Sequence, residues 1–122
     1  MKNKKFYLLN SFSPSMFGGE DIVGTVFKKL SISEAKEVFS SFKNKGYEII
    51  SAIGHEGTAK LLSQILEHEI PFQRIAISLS EGDCGLIITL AFRPEEGKVY
   101  SYEELKQFFK EGKIVLYGFM IT

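Results

Sequence analysis

Apolar positions along the chain fall into short extended runs mixed with a few stretches of helical period. Phe6 to Phe12 is a compact apolar run broken only by Asn10-Ser11, and it predicts a buried first strand. Ser13-Pro14-Ser15 and Gly18-Gly19 then mark a loop. Ile22 to Leu30 holds Val23, Thr25, Val26 and Phe27, which favour a second strand. Ala35, Val38, Phe39 and Phe42 recur at helical spacing after Ser31, with Glu34 three residues on in the pattern of a capping box and Ser33 as a rival N-cap. A helix over residues 33–45, stopped by Gly46, follows. Tyr47 to Ile53 predicts a third strand, and Leu61, Leu62, Ile65 and Leu66 predict a helix over Thr58–Leu66.

Beyond it, Ile75, Ile77 and Leu79 alternate, Glu81-Gly82-Asp83 has turn composition, and Leu86 to Phe92 is apolar. The pattern predicts a hairpin of Arg74–Leu79 with Leu86–Phe92. Ser101 and Glu104 form a second capping-box pattern, opening a helix that ends at Gly112, and Ile114 to Ile121 is a last strand. This mixture predicts an α/β (mixed α+β) fold, with a mixed sheet of five or six strands flanked by helices. A chain of 122 residues is the length of one domain, taken here as 1–122.

Composition narrows the function. The chain is 44% hydrophobic and 25% charged, which excludes wholesale disorder. Fifteen Lys+Arg balance fifteen Asp+Glu, and this neutrality argues against coating long DNA or RNA, which calls for a basic footprint. No apolar run approaches the about 20 residues of a membrane span. The basic start Met1-Lys2-Asn3-Lys4-Lys5 is followed by too short an apolar stretch to read as a secretory signal. One cysteine, Cys84, excludes an intrachain disulfide and a Cys-based zinc site, and suits a reducing, cytoplasmic setting. No P-loop, G-x-G-x-x-G, H-E-x-x-H or G-x-S-x-G motif occurs, and no metal or cofactor is expected.

Three local features could carry chemistry. In Ile53-Gly54-His55-Glu56-Gly57-Thr58, a strand feeds a helix whose free N–H groups favour an anion, and a histidine there is placed to protonate a leaving oxygen. The same residues also read as a glycine turn with a surface histidine. Arg93 in Arg93-Pro94-Glu95-Glu96-Gly97-Lys98 is placed to clamp a phosphate beside a mobile acidic lid, or to form a surface ion pair in a solvated loop. Asn10-Ser11-Phe12-Ser13 ends the first strand with polar groups that either line a site or form a turn before Pro14. His68, flanked by Glu67 and Glu69, suits a structural place at a helix end, and Cys84 has no activating partner.

Taken in order, Leu9-Asn10-Ser11-Phe12-Ser13, Ile53-Gly54-His55-Glu56-Gly57-Thr58, and Arg93-Pro94-Glu95-Glu96-Gly97-Lys98 with Ser101-Tyr102-Glu103-Glu104 resemble the viral anti-CRISPR ring nuclease family. The likeness runs from Lys5 to Ile121. It implies a homodimer that binds cyclic tetra-adenylate across its interface and cleaves it without a metal. The expected products are linear di-adenylates with a 2′,3′-cyclic phosphate, which switches off type III CRISPR signalling. The resemblance implies that His55, Arg93 and Glu96 are catalytic. It also implies that Asn10, Ser11, Ser13, Gly54, Gly57 and Thr58 bind substrate. Gly57 departs from members with Ser there, and Thr89 from a pattern with Gln. The alternative expectation is a non-catalytic dimer that sequesters a cyclic nucleotide or regulates a mobile element.

Overall fold

The computed structural model describes residues 4–18, 24–95 and 97–122. Five strands form one mixed sheet: β1 (Lys5–Leu9), β2 (Thr25–Leu30), β3 (Glu48–Ala52), β4 (Cys84–Leu90) and β5 (Ile114–Ile121). Their order across the sheet is β2-β5-β4-β1-β3. β1 pairs in parallel with both β3 and β4, while β5 pairs antiparallel with both β4 and β2. Three helices, α1 (Ile32–Asn44), α2 (Glu56–Leu66) and α3 (Tyr102–Lys110), complete a single-domain α+β fold.

Both predicted capping boxes form. The Ser31 hydroxyl accepts from the Glu34 N–H and the Glu34 carboxylate accepts from the Ser31 N–H, so donors that would be orphaned at the α1 start are paired. Ser101 and Glu104 repeat the arrangement at α3. Glycine closes the turn after each of these helices, with φ of 83° at Gly46 and 72° at Gly112.

Strand alternation divides the core between two faces. Phe6, Leu8, Leu86, Ile88, Ile114 and Leu116 point toward the helices and pack on Phe39, Leu62, Ile65 and Leu105. Tyr7, Leu9, Ile87, Phe119 and Ile121 point to the other face. No helix covers that face among the described residues. A single 3-10 turn (Pro14–Phe17) and the irregular segment after α2 lie there, with Met16, Phe17, Ile77 and Leu79 packed on it.

The segment 74–79 is where the sequence prediction fails. It is not a strand, and no hairpin forms with β4. The alternation of Ile77 and Leu79 reflects packing flat on the sheet face, and the hydrogen bonds lead elsewhere. The Leu79 N–H donates to the Met16 carbonyl and the Gln73 N–H to the Ile53 carbonyl. The turn at 81–83 does form, with Gly82 at φ 90° and the Asp83 carboxylate accepting from the Ser80 N–H. It leads into the parallel neighbour of β1 instead of returning along 74–79. β1 also stops at Leu9, short of the predicted Phe12, where its pairing with Ala52 of β3 ends. β2 begins at Thr25; the predicted Ile22 and Val23 lie outside the described residues.

Candidate functional site

The three parallel strands β3, β1 and β4 end at the same edge of the sheet, and the chain leaves each through one of the three polar motifs. In open α/β sheets this carboxyl edge is where ligands bind. Here it opens into a cleft of about 650 Å³, within the range of small-ligand sites. Asn10, His55, Gly57, Thr58 and Arg93 all line it, over an apolar floor of Ile88, Leu90 and Phe92.

Each polar residue is placed by a local device. Asn10 follows the last residue of β1, and its Oδ1 accepts from the Gly54 N–H at 3.5 Å, linking the first two motifs. His55 is the N-cap residue of α2, with extended backbone (φ −129°, ψ 126°) and a side chain that makes no capping bond. Its imidazole is exposed, and the first-turn N–H groups of α2 keep their anion-binding capacity. Arg93 follows β4 at the cleft wall and is exposed.

The loop bearing Arg93 is tied to α2. Pro94 packs on Gly57, and a side chain at Gly57 would bring its Cβ to 3.3 Å from the Pro94 Cβ. The Glu95 N–H donates to the buried Tyr100 hydroxyl at 3.0 Å. Gln64 of α2 grips the Tyr100 backbone twice, its Oε1 accepting from the N–H and its Nε2 donating to the carbonyl. These contacts fix Pro94, Glu95 and Tyr100 against α2. Glu96 lies outside the described residues.

Other predicted residues fall away from the cleft wall. Gly54 sits behind it, between Asn10 and Arg74. Ser11 is exposed outside the wall. Ser13 caps the 3-10 turn, its Oγ accepting from the Ser15 N–H at 3.4 Å. Thr89 is exposed on the sheet face away from α2, and its hydroxyl donates to the Val115 carbonyl. Burial pushes the Cys84 thiol up to about 11, which leaves it a core residue and not a nucleophile. The His68 ring packs edge-on against Phe39 with centroids 5.3 Å apart, a structural role. Among the described residues no group of three or more His, Cys, Asp or Glu side chains is gathered for a metal ion, and no helix is long and apolar enough to cross a membrane.

Arg74 escaped the sequence reading. Its Nε donates to the Gly54 carbonyl at 3.1 Å and its guanidinium lies 5.7 Å from the Phe72 ring centroid, so it braces the turn before His55 from behind. No local motif marks it, because the contact joins residues twenty positions apart.

Fold and cleft together define a small α+β protein with a polar site at the carboxyl ends of parallel strands. The chain belongs to the STIV B116-like family, whose model matches residues 6–116. Protein 26 of Sulfolobus islandicus filamentous virus (isolate Iceland/Hveragerdi) is 45% identical over 102 residues, covering 83% of this chain and 81% of that protein. The protein ORF116 of Acidianus filamentous virus 1 (isolate United States/Yellowstone) is 36% identical over 111 residues, covering 91% and 90%. The structure of B116 of Sulfolobus turreted icosahedral virus matches with a TM-score of 0.84 at 31% identity, covering 95% of this chain and 98% of that one. These relatives make the family a viral one.

Proposed function

We propose that this protein is a metal-independent ring nuclease that binds cyclic tetra-adenylate and opens it to linear di-adenylates, silencing type III CRISPR signalling in the infected cell's cytoplasm. The observation that carries the reading is the convergence of Asn10, His55 and Arg93 with the free N–H groups of α2 around one cleft. An RNA phosphodiester brings its own nucleophile, so the site has three tasks: orient, hold charge and move a proton.

The ribose 2′-hydroxyl attacks the adjacent phosphorus and releases its proton to solvent water. The bond from phosphorus to the 5′-oxygen breaks, leaving a 2′,3′-cyclic phosphate. His55, as imidazolium, delivers a proton to the departing 5′-oxygen. Arg93 and the first-turn N–H groups of α2 take up the charge that grows on the phosphate oxygens. Asn10, together with the turn it holds through Gly54, fixes the approach. Two such cuts convert the ring into two di-adenylates. One open cleft takes part of a four-nucleotide ring, and a twofold homodimer would set two His55 and two Arg93 around it.

The test is conversion of cyclic tetra-adenylate by pure protein in EDTA, followed by chromatography under single-turnover conditions. Wild type should open the ring, and His55→Ala should slow it about 100-fold or more, the usual scale for losing a general acid. Tight binding with an unaltered ring would instead identify a sequestering protein.

A further inference from the structure

One charged pair on the cleft wall is unused by this chemistry. Lys60 and Glu56 stand one turn apart on α2 and both line the cleft with His55 and Arg93. The Lys60 Nζ is 3.5 Å from the Glu56 Oε1, and the side chains are 56% and 63% exposed, respectively. An exposed pair at this separation holds its lysine weakly. The same two residues also border a neighbouring groove lined by Gln64, Phe72 and Val99, so the ammonium has open space on either side. Glu56 is favoured at the start of a helix, yet a carboxylate there repels any phosphate that enters. With the cleft empty, Lys60 offsets that charge.

We infer that Lys60 is a phosphate-binding residue of the cleft, released from Glu56 when a phosphodiester arrives. Glu56 acts as a built-in competitor: it occupies the ammonium in the empty site and sets how much affinity the exchange yields. The inference rests on the cleft being the site for a cyclic oligoadenylate. Lys60 is distinct from the groups that act on the reacting bond, so it governs binding and not the cleavage rate at saturation.

The experiment is calorimetric titration of the full-length chain with cyclic tetra-adenylate at two salt concentrations, paired with single-turnover cleavage. Lys60→Gln should weaken binding about fivefold to tenfold at low salt and lower the salt slope by about one, the signature of one lost phosphate contact. Lys60→Arg should stay within about twofold of wild type, since it keeps the charge. Glu56→Gln should tighten binding about threefold by removing the competing carboxylate. Maximal cleavage rates should stay within about twofold for all three, as expected for changes in uniform binding. Unchanged affinity and salt slope in Lys60→Gln would overturn the inference, as would a fall in maximal rate at constant affinity. A wild-type protein that binds the ring without cutting it would refute the nuclease reading, while the affinities still decide the role of Lys60. Failure of wild type to bind the ring would refute both.

Discussion

Pro94 lies against Gly57, with no side chain between the loop that carries Arg93 and the helix that His55 caps. A serine at this position, as in some ring nucleases that the sequence resembles, would have to share its space with the proline. Glycine at 57 and proline at 94 therefore form a close contact that sets the spacing of the loop carrying Arg93 and α2. Gly57→Ser should push Pro94 back by a few tenths of an ångström and lower single-turnover cleavage about threefold to tenfold, because small misplacements of reacting groups are costly. The thermal midpoint should hardly move, and Pro94→Ala added to Gly57→Ser should recover much of the rate. An unchanged rate in Gly57→Ser would show that the spacing is not set here.

Gly85 meets a harder limit. It lies in β4 opposite Tyr7 of β1, and a Cβ there would collide with the Tyr7 carbonyl and crowd the Phe119 ring. A clash with main chain cannot be relieved by turning a side chain. Gly85→Ala should therefore destabilise the protein by about 3 kcal/mol or more, at the upper end of overpacking effects, as read from urea unfolding. A loss under about 1 kcal/mol would mean that β1 and β4 separate more readily than their register implies.

The two capping boxes predict a response to acid. The backbone N–H of Ser31 holds the Glu34 carboxyl below its ordinary value of 4.5, aided by the Ser31 hydroxyl and Lys28. Glu104 is lowered in the same way by the Ser101 N–H, then by Lys98. A carboxyl lowered in the folded state adds stability that is complete above the unfolded value and lost as pH falls through the folded one. The melting temperature should thus decline as pH drops below about 4.5, the ordinary value of both groups. In Glu34→Gln/Glu104→Gln the part of that decline due to the caps should vanish. Because both carboxylates face solvent, the difference is small, and high salt should shrink it further. Parallel acid curves for the two proteins would assign the decline to other groups.

What the sequence made legible was what neighbouring residues decide among themselves. Ser31 with Glu34 and Ser101 with Glu104 are complete caps within four residues, and β5 matches its predicted bounds from Ile114 to Ile121. Of the alternating Ile75, Ile77 and Leu79, only Ile77 and Leu79 pack on the sheet while Ile75 stays exposed, and periodicity does not say where backbone hydrogen bonds go. Hence a packed strap passed for a strand. Asn10, His55 and Arg93 line one cleft, but each of their motifs taken singly also reads as a turn or a solvated loop, and it was their order along the chain that set them apart. Arg74 and Lys60 carry no such local mark, since one meets Gly54 from twenty residues away and the other reaches the cleft only through the fold.

The position of β1 has a consequence for synthesis. It is made before the other strands of the sheet, yet it sits inside the sheet, and its partner β4 follows only after β2, α1, β3 and α2. On a ribosome, Asn10 would emerge long before the strand that places Arg93 beside it. Closing so long a loop before its contacts reward it slows folding. The cleft therefore depends on contacts between distant parts of the chain: Asn10 and Arg93 line it together only once β4 has paired with β1.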